Sequence, residues 1–124
     1  MIKKTLFAAV AIMALSAAAA NASPCSEDQE AAAGMLAAGV AKATVSKVVA
    51  VTGKQMVNIQ SCDFRSGNYQ VEYKYNFLAA DGLYWIEASS KFGSDGSGAS
   101  TKVDKSSPNM AAAEAKAGVK LAAN

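Results

Sequence analysis

The 124-residue chain has no histidine, two cysteines, two prolines and one tryptophan. Without histidine, the usual general base and the commonest metal ligand are both missing. The formal net charge of +2 is too small for the clustered basic face that nucleic-acid binding requires. At this length the chain forms one domain at most, with a single core of ordinary size.

The N-terminus reads as a targeting segment. Met1-Ile2-Lys3-Lys4 is a short basic start, an apolar run follows from Leu6 to Leu15, and Ala20-Asn21-Ala22 is an A-x-A cleavage pattern. The expectation is a secretory signal peptide over residues 1–22, cleaved after Ala22. A transmembrane anchor fits less well, since alanine inserts weakly and no basic stop-transfer cluster follows. Lipidation at Cys25 is disfavoured by Pro24 directly before it. The triplet Asn21-Ala22-Ser23 straddles the cleavage point and carries no meaning as a glycosylation site. Cleavage removes Lys3 and Lys4 and leaves equal numbers of basic and acidic residues, so the apparent basicity belongs to the signal. The expected location is periplasmic or extracellular, with no membrane span after cleavage.

Export places Cys25 and Cys62 in an oxidising compartment that favours pairing them. They stand 37 positions apart, unlike the C-x-x-C spacing of catalytic dithiols, so a structural disulfide is expected.

Residues 23–107 read as one α+β domain, an N-terminal helix followed by a four-stranded antiparallel meander. Ser26-Glu27-Asp28-Gln29 is a capping box, and Glu27, Asp28 and Glu30 place negative charge at the positive helix end. Met35, Leu36, Val40 and Ala43 suggest the buried stripe, with Gly34, Ala38 and Gly39 permitting close approach. Residues 44–52, rich in β-branched side chains, suit either the last helical turns or a short strand, ended by Gly53.

From 69 to 79 the odd positions are Tyr69, Val71, Tyr73, Tyr75, Phe77 and Ala79, and the even ones are mainly polar, the period of a strand with one apolar face. Asp81-Gly82 predicts a two-residue type I′ hairpin. Centred there, Leu78 faces Trp85, Phe77 faces Ile86, Tyr75 faces Ala88 and Glu72 faces Lys91. A second hairpin centred on Asp95-Gly96 sets Phe92 opposite Ala99, Ser90 opposite Thr101 and Ala88 opposite Val103. The strand Gln55–Phe64, closed by Arg65-Ser66-Gly67-Asn68, changes apolar parity between Val57/Ile59 and Cys62/Phe64, which predicts a bulge or twist. Residues 108–124 are alanine-rich: Ser106-Ser107-Pro108 signals a helix start, and a weakly docked short helix is expected.

The helix is expected to cross the face formed by Tyr73, Tyr75, Phe77, Ile86 and Phe92. In outline this layout resembles the cystatin-like arrangement of a helix on a curved sheet, although no inhibitor-loop motif accompanies it. Fold alone does not give function.

The chemistry available is narrow. Ser46-Lys47 and Ser90-Lys91 are adjacent in sequence and diverge in space, which weakens a Ser–Lys dyad. Glu87 with Asp104 is the only acid pair the expected registers place across strands. Asp95-Gly96-Ser97-Gly98 lacks the ligands of a calcium loop and reads as a turn. Tyr69, Tyr73 and Tyr75 could stack bases, but the helix needs that face. No metal, cofactor or nucleic-acid partner is expected from this composition.

One feature stands apart. Leu78, Leu83 and Trp85 fall on the sheet face away from the helix, with Asn76, Glu87, Lys74 and Ser89 as a polar rim. The cover for Trp85 is residues 108–121, a second copy of the chain or an envelope partner. The sequence therefore suggests a non-catalytic binding module of the bacterial envelope, taking a protein or peptide, or a second copy, on the Trp85 face. The competing readings are a secreted hydrolase or redox enzyme built on Ser/Lys or the cysteine pair, and a self-associating structural protein.

Overall fold

The computed structural model describes residues 24–122. The expected signal peptide, residues 1–22, lies outside the described residues. The elements run α1 (Glu27–Val45), β1 (Gln55–Arg65), β2 (Asn68–Ala79), β3 (Gly82–Gly93), β4 (Ser100–Ser106) and α2 (Pro108–Ala117). The four strands form one antiparallel sheet in meander order β1-β2-β3-β4. This is the expected α+β layout of a helix on a four-stranded sheet with a short C-terminal helix.

The start of α1 follows from its capping box. Ser26 Oγ accepts from the Gln29 N–H at 3.2 Å, and Gln29 Oε1 accepts from the Ser26 N–H at 2.9 Å. Its buried row is Ala33, Ala37, Ala41 and Val45, one residue every helical turn. The stripe expected from Met35 and Ala43 is therefore corrected: Ala43 is exposed and Met35 is 79% exposed, while Leu36 and Val40 flank the core. The sheet supplies the large side chains of this layer, so the helix contributes small ones. Close approach comes from these alanines; Gly39 has nothing near its missing Cβ. The helix ends at Val45, and residues 46–49 continue as turns, not a strand.

Tyr73, Tyr75, Phe77, Ile86 and Phe92 are all fully buried beneath the helical layer. Two aromatic rows run through it: Phe64–Tyr69–Phe92, with centroids 4.7 and 5.8 Å apart, and Tyr75–Phe77–Tyr84, at 5.3 and 5.5 Å. Tyr73, Tyr75 and Tyr84 each find a partner for the phenol. Tyr73 Oη shares a 2.8 Å hydrogen bond with Ser90 Oγ, which is 2.8 Å from Thr101 Oγ1, and Tyr75 donates to Gln55 Oε1.

The β2–β3 register differs from expectation by two residues. Phe77 pairs with Tyr84, Asn76 with Trp85, Leu78 with Leu83 and Glu72 with Ser89. The two-residue turn is Ala80-Asp81, and Gly82, with φ of 140°, is the first residue of β3. This register stacks Phe77 on Tyr84 and lets Tyr84 Oη donate to the Asp81 carboxylate at 2.7 to 2.9 Å. The positive-φ pair of a type I′ turn occurs instead at Ser66 (55°) and Gly67 (79°), between β1 and β2.

The β3–β4 register is as expected at Ala88–Val103 and Ser90–Thr101. A bulge between Glu87 and Ala88 then sets Glu87 opposite Lys105, so the expected Glu87–Asp104 acid pair does not form. The parity change in β1 is a register shift between Ile59 and Ser61.

The Cys25–Cys62 disulfide is formed, and the Cys25 N–H donates to Cys62 O, tying the start of the chain to β1. Helix α2 begins at Pro108 after the N-cap Ser107 and ends at Gly118 in the left-handed conformation. It docks through Met110, which is wholly buried, and Glu114 Oε1 accepts from the Leu121 N–H at 3.3 Å. The following chain reaches β4, where Ala122 bridges Val103.

Two outcomes follow. Replacing both cysteines by serine opens a loop whose closure is worth about 4 kcal/mol on chain entropy; urea denaturation of the double variant reads that loss. Burial pushes the Tyr75 hydroxyl up to about 12, against 10.0 for the ordinary group. The unfolded chain therefore gives up this proton first, and stability declines as pH rises from 10 toward 12. Tyr75→Phe lessens that alkaline loss, as followed by circular dichroism against pH.

Candidate outer-face binding site

Strand alternation divides β2 and β3 between two environments. Odd positions of β2 and even positions of β3 enter the core, and the other parity forms the outer face. On that outer face, near the Ala80-Asp81 turn, the registers bring together Leu78 beside Leu83 and the row Met56–Asn76–Trp85. Met56 and Leu83 are each 58% exposed and Leu78 is 39% exposed. Trp85 is half-buried, with the Lys74 ammonium 4.5 Å from its ring centroid. That contact shields one ring face by cation–π attraction.

The remaining rim residues take definite places. Glu87 sits between Lys74 on β2 and Lys105 on β4, and Ser89 lies opposite Glu72. Asn76 occupies the centre of the patch, between Met56 and Trp85. All five candidate residues, Trp85, Leu78, Leu83, Asn76 and Glu87, therefore share one face. Leu78 and Trp85 are not directly opposed, as the shifted register requires. Met56 was missed because the register of β1 was open; its parity with Asn58 and against Val57 and Ile59 was the available signal.

Residues 108–121 do not provide the cover for this face. The hydrogen bonds at the start of this segment go to the β3 backbone: Ser107 N–H to Trp85 O at 2.9 Å, Trp85 N–H to Ser107 Oγ at 3.2 Å, and Asn109 Nδ2 to Leu83 O at 2.8 Å. From there α2 turns to the Tyr84 side, where Ala112, Ala113 and Lys116 line a groove with Val48, Val49 and Tyr84. Tyr84 and Trp85 are adjacent on a strand and point to opposite faces.

The other residues considered for chemistry have structural employment. Ser90 is 1% exposed and its hydroxyl lies between Tyr73 and Thr101, while Lys91 is exposed on the other face. Asp95 Oδ1 accepts from the Ser97 N–H at 3.0 Å, holding the turn, and hydrogen bonds from Ser97 keep its carboxyl below the usual range. A shallow depression at the opposite end of the sheet, about 700 Å³, carries Asp63, Arg65, Gln70 and Lys91 and does not reach Trp85. Among the described residues no three Cys, Asp or Glu side chains gather as a metal site requires, and no helix is long and apolar enough to cross a membrane.

Comparison of the chain with protein-family models, with curated proteins and with solved structures finds no match. The arrangement itself is that of a compact sheet presenting an apolar patch with a charged rim.

Trp85 is the single tryptophan and reports on this face directly. Lys74→Ala uncovers its ring: acrylamide quenching of the emission rises, while stability drops by no more than about 0.5–1 kcal/mol, the worth of an exposed cation–π contact.

Proposed function

We propose that the chain is a small exported, non-catalytic binding module of the bacterial envelope, which takes an apolar protein or peptide segment on the outer face around Trp85. The observation that carries this reading is the cluster of Met56, Leu78, Leu83 and Trp85 on the sheet face opposite the aromatic core. Burying large apolar side chains on this face would be unnecessary for folding, because the core already has its aromatic layer on the other side. Tryptophan suits such a role, combining large contact area with one polar N–H. The mixed rim of Lys74, Glu87 and Lys105 fits a partner carrying charges of both signs around an apolar centre.

Export rests on the basic, apolar and A-x-A pattern of residues 1–22 and accords with the Cys25–Cys62 disulfide. N-terminal sequencing of protein recovered outside the cytoplasm should begin at Ser23. Binding is read by capture from envelope extracts on the immobilised protein. Trp85→Ala should abolish capture of a specific partner, as loss of a central aromatic anchor typically costs about 2 kcal/mol or more. A Trp85→Ala protein that keeps its circular dichroism and captures the same partners would sink the proposal.

A further inference from the structure

The two edges of the sheet are treated very differently by the sequence. The outer edge of β4 carries Lys102, Asp104 and Lys105 within seven residues, and Ala122 bridges Val103 from outside. Charges and a covering segment are the usual protections of an exposed edge. Among the described residues, Pro24 and Cys25 cover β1 only at its far end, at Cys62 and Asp63. From Gln55 to Cys62 there is no charge and no proline, and Gln55–Ile59 is a regular run before the register shift.

We propose that this run pairs antiparallel with the same run of a second copy, giving a dimer with a continuous eight-stranded sheet. The two-fold axis falls at Val57, the middle of the run. Gln55 then faces Ile59 of the second copy, and Met56 faces Asn58. Lys54 meets Gln60 across the axis, so no charge opposes a like charge. A strand that must pair with itself has to satisfy that condition, and the charged β4 could not pair with itself as freely.

The layer above fits as well. Five paired residues bury less than a stable interface needs, so the helices have to contribute. Helix α1 packs mainly on β1, then on β2 and β4, and Gly34 stands over Ile59, whose Cδ1 would be 3.6 Å from a Cβ at that position. The helix therefore crosses the sheet, with its Gly34 flank toward β1 and its Leu36 and Val40 flank toward β4. Ala31 and Ala38 continue the Gly34 flank, leaving room for the approach, and Met35 beside them supplies exposed apolar area. On the opposite face the pairing brings two copies of Met56 near the axis, joining the two Trp85 patches into one surface.

Sedimentation of the disulfide-intact protein from about 1 to 100 µM tests the assembly. The expected result is a concentration-dependent dimer, with amide exchange at residues 55–59 slowing as the dimer forms. Asn58→Glu sets a carboxylate opposite Lys74 within its own chain, which favours folding, and against Met56 of the second copy, which opposes pairing. It should weaken dimerisation at least about tenfold. Lys102→Ala, on the other edge, should leave it unchanged. A monomer throughout this range, or a dimer indifferent to Asn58→Glu, overturns the proposal. So does a dimer lost on Trp85→Ala with no change in exchange at residues 55–59, which would assign self-association to the outer face.

Discussion

The strict alternation of β2 is the constraint on which the rest depends. Tyr69, Val71, Tyr73, Tyr75 and Phe77 put almost every large side chain of the strand on one face, and β3 answers with Tyr84, Ile86 and Phe92. This aromatic layer fills the space that a helix would otherwise fill with leucine. An alanine-lined helix is then the matching element, since longer side chains would overpack the layer. The alanine richness of α1 is thus a consequence of the sheet's composition as much as of helix propensity.

Tyrosine in a core brings a polar demand that phenylalanine does not, and its satisfaction settles the strand partners. Tyr73 needs Ser90 and, through it, Thr101, which ties together β2, β3 and β4. Tyr75 reaches Gln55 on β1, and Tyr84 closes on Asp81 at its own turn. Any slip of the sheet breaks at least one of these bonds while keeping an apolar face apolar. Hydrophobic matching alone allows registers that differ by two; the hydroxyls discriminate between them.

That distinction explains what was legible in the sequence. The helix start at Ser26, the disulfide, the four strands and the second hairpin register from Ala88 to Lys91 all follow from local signals. The side on which each residue of the central hairpin lies was legible too, because a shift of two residues preserves parity. Direct partners were not: Asp81-Gly82 is a strong turn signal, yet the turn took Ala80-Asp81, which stacks Tyr84 on Phe77. The buried stripe of α1 was misread because apolar size was taken as the mark of burial. Met35 is large and exposed, whereas Ala33, Ala37 and Ala41 are small and buried. The parity change across Gln60 announces the bulge in β1 but leaves the register of the strand open, and with it the place of Met56 beside Asn76.

The same parity argument separates the two surfaces assigned a role. The Trp85 patch exists because odd positions of β3 and even positions of β2 are released from the core, so it belongs to the centre of the sheet. The β1 edge exists because, among the described residues, meander order leaves the first and last strands at the margins of the sheet, and charge runs through β4 but only through the Asp63–Arg65 end of β1. Patch and edge meet at Met56, whose side chain lies in the patch and whose backbone belongs to the edge. Substitution there disturbs both surfaces, whereas Trp85 tests the patch and Asn58 the edge. Pairing across β1 would leave each patch open and set two of them on one side of a single sheet. A partner that spans both copies would gain from the fixed spacing without any new contact within either patch.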